Sequence, residues 1–214
     1  MYTLYGSKGS GSAAIEAALE LAGQRYRLVQ AASWEPGPGL EELALLNPLK
    51  QIPTLQLPDG TVMSESAAIL IHLGLQHPGA GLLPDAPADL AQALRGLVYI
   101  AANCYAAIGL IDYPERWCEP AGPLQNEALR LGARLRLHAA WALFADQFYA
   151  PTRGQAFLHG DAPAALDLLA TVVSKWSGSR PYLQQQRPEF HALLLRVERH
   201  PRLAALFARH WPPA

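Results

Sequence analysis

Asn47-Pro48-Leu49-Lys50-Gln51-Ile52-Pro53-Thr54-Leu55 is the stretch on which the fold turns. A proline preceded by the β-branched Ile52 and followed by an apolar run reads as a sharp entry into a strand. An X-Pro bond adopts the cis form at low cost, because its tertiary amide has only a small trans preference. A cis bond at Ile52-Pro53 would turn the amide and carbonyl of Ile52 outward. An extended peptide would pair with them there as an added strand does. Farther along, Met63-Ser64-Glu65-Ser66-Ala67-Ala68-Ile69 reads as a strand end running into a helix. The free N–H groups of that helix start and the Ser66 hydroxyl form an anion site. A peptide-pairing edge beside a carboxylate-binding helix start describes a pocket for a small acidic peptide.

Outward from that pocket, residues 1–77 mix strand and helix patterns. Residues 2–5 are a short apolar and aromatic run, a strand. Ser12 stands where it caps the helix that follows, and Ile15, Ala18, Leu19 and Ala22 fall at i, i+3, i+4 and i+7 on one face. Gly23 marks the helix stop. Residues 26–29 read as a second strand, and two strands joined through a helix make a parallel, right-handed unit. A Pro/Gly-rich loop over 34–39 leads to a short helix over 40–46. Residues 54–57 and 61–63 flank Pro58-Asp59-Gly60, a turn signal, and make a hairpin. Residues 66–75 are helical, so the order is βαβ-α-ββα. Residues 78–89 read as a linker between domains. Beyond it, helices are expected over 90–111 and 124–149, split by a Pro-bearing loop over 112–123, with shorter ones over 164–176, 188–199 and 201–211. The expectation is an α/β domain over 1–77, the linker over 78–89 and an all-α domain over 90–214.

The chain has 214 residues, half of them hydrophobic and 16% charged, which is a globular balance. Lys+Arg 17 against Asp+Glu 18 leaves a net charge of −1, so no broad field draws in nucleic acid. The start, Met1-Tyr2-Thr3-Leu4-Tyr5-Gly6-Ser7, lacks the basic-then-apolar pattern of an export signal. No apolar run is expected to approach the roughly 20 residues that span a bilayer. Cys104 and Cys118 form no Cys-x-x-Cys pair, and two scattered cysteines fit a reducing cytoplasm.

Taken together, these residues resemble the glutathione S-transferase family, over nearly the whole chain and with a bacterial cast. Residues 47–55 are similar to that family's Asn-Pro-x-x-x-Val/Ile-Pro segment, and Ser64-Glu65-Ser66-Ala67-Ala68-Ile69 to its Glu-Ser-x-Ala-Ile segment. The resemblance implies a thioredoxin-like N-terminal domain, an all-helical C-terminal domain and a homodimer. It implies glutathione as co-substrate and no metal. Ile52, before Pro53, would pair its backbone with the cysteinyl unit. Glu65 would take the γ-glutamyl ammonium, and Ser66 with its N–H the carboxylate. Lys50 or Gln51 would reach the glycine carboxylate, and Trp34 would rim the site. A Glu-Ser pair at a helix start also serves as a plain cap and dipole partner.

A transferase of this kind lowers the pKa of the bound thiol so that thiolate, the nucleophile, is present near neutral pH. The donor is expected after the first strand, within Lys8-Gly9-Ser10-Gly11-Ser12. A hydroxyl donating to sulfur would stabilise thiolate by roughly 1–3 kcal/mol. Ser10 is the first candidate, Ser12 the second and Ser7 the third. Ser12 also reads as a helix N-cap, and Tyr5 as strand packing. No cysteine stands in this loop, which argues against a mixed disulfide with the protein. The electrophile pocket is expected between the halves, lined by Asn103, Tyr105, Ile108, Tyr113 and Trp117, each of which also reads as core. In Leu158-His159-Gly160-Asp161-Ala162-Pro163-Ala164-Ala165-Leu166-Asp167, similar to a family capping segment, Ala164 replaces the capping Ser/Thr and Asp167 remains to bind free N–H groups.

The seven histidines show no metal-ligand spacing, and neither a nucleotide loop nor a Gly-x-Ser-x-Gly elbow is present. Arg130, Arg134 and Arg136 read as a solvated or interface stripe. Two functions stand side by side. One is an enzyme that conjugates glutathione to a small hydrophobic electrophile or uses it to reduce a peroxide. The other is a non-catalytic glutathione-binding or regulatory protein on the same fold. A glutathione-dependent isomerase or dehalogenase is the third.

Overall fold

The computed structural model describes residues 1–32, 34–118 and 122–212. Strand β1 (Tyr2–Gly6) leads through α1 (Ser12–Leu21) to β2 (Tyr26–Gln30), which runs parallel to it with Leu4 beside Leu28. Helix α2 (Pro38–Leu46) follows, its proline in the first turn where no N–H is required. Strands β3 (Thr54–Gln56) and β4 (Val62–Met63) make the expected antiparallel hairpin. Asp59 holds its turn, Oδ1 accepting the Thr61 N–H at 2.9 Å. Helix α3 (Ser66–Gln76) closes the unit, and the sheet order is β2-β1-β3-β4.

Side chains alternate across β1. Leu4 joins Ile15, Leu19, Leu55, Ile69 and Leu73 beneath α1 and α3. Tyr5 points the other way and packs with Ala31 and Leu43 under α2. Burying both faces of a four-stranded sheet this way gives the thioredoxin-like half that the sequence implies.

The second half is helical among its described residues: α4 (Pro87–Tyr99), α5 (Ala106–Asp112), α6 (Pro123–Phe144), α7 (Ala165–Val173), α8 (Ser179–Gln186), α9 (Pro188–Glu198) and α10 (Ala204–His210). A wider, π-type turn over Ile100–Tyr105 joins α4 to α5 without a break. Helix α7 is the axis of this half. All of its residues are buried, and it packs against α1, α3, α4 and α9. Without a side-chain acceptor at Ala164, Asp167 does the capping alone, Oδ2 accepting the Ala164 N–H and Oδ1 the Leu158 N–H, both at 3.0 Å.

Four expectations change. Ser12 does not cap α1: Gly11 is the N-cap residue, and the Ser12 hydroxyl turns back toward Ser7 and Ser10. Helix α8 was not expected, because Gly178, Pro181 and a run of glutamines break the apolar rhythm over residues 178–186. The 26-residue run Pro87–Asp112 is long and apolar enough, by length and composition, to cross a bilayer. Here Leu97, Ile100, Cys104, Ala107, Ile108 and Ile111 face the common core. The loop expected over 112–123 contains a 3₁₀ turn, Pro114–Arg116, and residues 119–121 lie outside the described residues.

Candidate functional site

The two halves enclose a cavity of about 680 Å³. From the first half come the turn after β1 (Gly9, Ser10, Gly11), the Gln51-Ile52-Pro53 corner, the start of α3 and the exposed ring of Trp34. From the second come Tyr105, Ile108, Tyr113, Arg116, Trp117 and Trp176, together with Ala101, Ala106, Gly109 and Asp112.

The corner is built by residues on either side of it. The Ile52-Pro53 peptide is cis. Asn47 braces it, Nδ2 donating to Thr54 Oγ1 at 2.9 Å and Oδ1 accepting the Leu49 N–H at 3.1 Å. Thr54 Oγ1 in turn donates to the Gln51 carbonyl at 2.7 Å. Among the described residues no backbone hydrogen bond uses Ile52, so its N–H and C=O remain available to a ligand. At the next wall, Glu65 holds φ 64 just before α3, a conformation rare outside glycine. Ser66 is the first residue of α3, is 8% exposed and lines the cavity. The site therefore offers an outward-facing peptide edge, a helix start with a hydroxyl, and a carboxylate beside it.

The turn after β1 is closed on itself. Ser10 Oγ donates to the Ser7 carbonyl at 2.7 Å, and the Ser10 and Ser12 hydroxyls meet at 2.9 Å. The Ser12 hydroxyl also reaches the Ser7 carbonyl, at 3.3 Å. Both hydroxyl protons are engaged inside the turn. Ser12 is fully buried and does not reach the cavity, whereas Ser10 lines it. Ser7 is turned toward Gln30, whose Nε2 donates to its Oγ at 2.8 Å.

A long-range link fixes the same turn. The Gly9 N–H donates to His210 Nδ1 at 3.1 Å, and His210 Nε2 donates to the buried Glu16 at 2.7 Å. Helix α10 thus holds the first loop directly through His210, whose other ring nitrogen is anchored on α1. Replacing His210 by Phe keeps a ring in place and leaves Glu16 its contacts with Tyr26 and Arg209. The loss of two hydrogen bonds, one of them to a buried carboxylate, is expected to cost about 2–4 kcal/mol in urea unfolding. The Gly9 amide is expected to exchange faster with solvent, which deuterium exchange reads directly.

Electrostatics separates the reactive groups from the inert ones. Burial pushes the Cys104 thiol up to about 12, so it is core filling and no thiolate. Burial, with the hydrogen bond to Glu42, pushes Tyr5 up to about 12 on the far face of the sheet. Tyr105 is also pushed up to about 12, by burial first and then by the charges of Glu65 and Asp112. It stays a protonated phenol inside the cavity. Burial raises Asp112 as well.

Most residues singled out from sequence converge here. Ser10, Trp34, Gln51, Ile52, Pro53, Glu65 and Ser66 share the cavity with Tyr105, Ile108, Tyr113 and Trp117. Four do not. Ser7 is turned toward Gln30, Ser12 lies beneath the turn, and Lys50 is exposed at φ 52 beside the corner. Asn103 turns along its own helix, Nδ2 donating to the Tyr99 carbonyl at 3.2 Å. Sequence reading missed Trp176, which packs on Tyr105 with ring centroids 5.8 Å apart. It also missed Arg116, stacked 3.9 Å over the Tyr113 ring, and the bracing role of Asn47.

Residues 12–76 match the family model described as glutathione S-transferase, N-terminal domain. Over 98% of both chains the sequence is 28% identical to the uncharacterised GST-like protein YncG of Escherichia coli (strain K12). It is 30% identical to a maleylacetoacetate isomerase of Rhizobium meliloti (strain 1021), over 75% of this chain and 74% of that one. A glutathione transferase homologue from Sulfitobacter, solved with bound glutathione, superposes with a TM-score of 0.80 at 24% identity, covering 96% of each chain.

Proposed function

Because the chain belongs to the glutathione S-transferase family, we propose that it binds reduced glutathione in this cavity and joins its sulfur to a small hydrophobic electrophile. The observation that carries the reading is the pairing of the Gln51-Ile52-Pro53 corner with the Glu65-Ser66 helix start across one cavity. Glutathione has two carboxylates and one ammonium, so its site needs mostly donors and one acceptor acid. Ser66 and the first N–H groups of α3 take the γ-glutamyl carboxylate, and Glu65 takes the ammonium. Ile52 pairs with the cysteinyl backbone, and Gln51 or Lys50 meets the glycine carboxylate. The sulfur then falls toward the start of α1, where helix N–H groups favour an anion. Ser10 and Ser12 shape that turn. The apolar side, with Ile108, Tyr113 and Trp117, receives the electrophile. Such a pocket selects by shape and apolar contact.

The engaged serine protons favour one second reading, a glutathione-binding protein without turnover. Retention on immobilised glutathione, followed by turnover of an aryl halide and of an organic peroxide, separates the two. Retention with turnover supports the enzyme, and retention without either turnover supports the binder. No retention overturns both. A homodimer in the cytoplasm completes the proposal. Val98 on α4 and Leu131 and Leu135 on α6 leave apolar surface for a second copy to cover, and sedimentation reads the mass.

A further inference from the structure

Resting on that reading, in which glutathione sulfur lies at the start of α1, we propose that the hydroxyl donating to the thiolate belongs to Tyr105. It reaches in from the helical half, and residue 11 is glycine to leave it room. The first support is steric. Gly11 has φ −61 and ψ −17, an ordinary helical conformation that any residue adopts. Its backbone does not call for glycine. A Cβ built there would overlap the Tyr105 hydroxyl, and it would lie 3.3 Å from Tyr105 Cζ and 3.5 Å from Pro53 Cδ. The phenol oxygen therefore occupies the space a side chain at 11 would fill, between the first turn of α1 and the Pro53 corner.

The second support is the hydrogen-bond count. The nearer serines already have acceptors inside their own turn, the Ser7 carbonyl lying 2.7 Å from Ser10 Oγ and 3.3 Å from Ser12 Oγ. Tyr105 Oη makes no hydrogen bond among the described residues, and it faces the cavity. Burial and the neighbouring carboxylates keep the phenol protonated well above neutral pH. The third support is rigidity. Tyr105 ends the π-type turn Ile100–Tyr105, a local widening common at functional sites, and its ring rests on Trp176. The position of the phenol oxygen is thus set before a ligand arrives, and its proton turns to whatever acceptor comes.

In the reaction the glutathione thiol gives its proton to solvent, while Tyr105 keeps its own and donates a hydrogen bond to the sulfur anion. The thiolate then forms the carbon–sulfur bond as the leaving group departs with its electron pair. A hydrogen bond to a charged acceptor shifts the bound-thiol pKa by about one unit, a tenfold change in thiolate near neutral pH.

The test is a spectrophotometric titration of the thiolate of bound glutathione, run beside kcat/KM against pH. Tyr105→Phe is expected to raise the bound-thiol pKa by about one unit and to lower kcat/KM about tenfold near neutral pH. The deficit should close as pH rises. Gly11→Ala, which the backbone tolerates, is expected to produce the same shift by displacing the phenol, and the double variant to add nothing further. A Tyr105→Phe protein that binds glutathione with an unchanged thiol titration overturns the inference alone. So does a titration that moves with Ser10→Ala and not with Tyr105→Phe. A wild-type protein that fails to bind glutathione overturns the underlying reading as well.

Discussion

Ser66→Ala is expected to weaken glutathione binding ten- to a hundredfold. The serine is the first residue of α3, is 8% exposed and lines the cavity. Its hydroxyl makes no hydrogen bond within the chain among the described residues, so a ligand carboxylate is its natural partner. A hydrogen bond to a charged group is worth about 1.5–3 kcal/mol, and each 1.4 kcal/mol is a factor of ten in Kd. The N–H groups of α3 remain in the variant and hold part of the anion, which keeps the loss below total. Titration calorimetry with glutathione reads the change. Calorimetry with an analogue lacking the γ-glutamyl carboxylate supplies the control, because variant and wild type should bind it equally. An unchanged Kd for glutathione removes Ser66 from the site.

The parts of the site legible in the sequence were those written in short segments. Ile52-Pro53 and Glu65-Ser66 each set a local backbone shape, and one short hairpin joins them, so their meeting in space follows from chain order. The strand and helix order of the first half was legible for the same reason, since period and turn residues are local signals. What escaped depends on contacts distant in sequence. Ser12 sits where a capping serine belongs, and local grammar assigns it that role. The hydroxyl is instead drawn into a knot with Ser7 and Ser10, sealed by His210 from the far end of the chain. Tyr105 was legible as a cavity residue, yet its closeness to Gly11 exists only after the halves pack. Asn103, two positions away, misled because a wide π-type turn shifts which residues share a face. Helix α8 was illegible because it presents few apolar positions, and Leu183 alone of its large apolar side chains is fully buried.

Asp167→Ala is expected to destabilise the fold by about 3–5 kcal/mol. The carboxylate is fully buried in the first turn of α7, the helix on which α1, α3, α4 and α9 pack. It accepts the N–H groups of Ala164 and Leu158, both buried, and Ala164 has no acceptor to replace it. Stranding two buried donors costs about 1–3 kcal/mol each, and the vacated volume adds to it. Urea unfolding with an unchanged m-value reads the loss. The same residue sets a pH dependence with a definite sign. Burial outweighs the two N–H bonds and pushes its folded pKa up to about 6, above the unfolded value of about 3.9. Between those two values the native state holds a proton that the unfolded chain has released. This contribution is therefore fully present below about pH 4 and is lost as pH rises through about 6, on the order of 2–3 kcal/mol in all. Asp167→Asn keeps one acceptor, destabilises less than alanine, and should abolish that slope. A wild-type protein whose stability is flat between about pH 4 and 6, measured against this variant, would mean that the two N–H bonds hold the carboxylate ionised despite its burial.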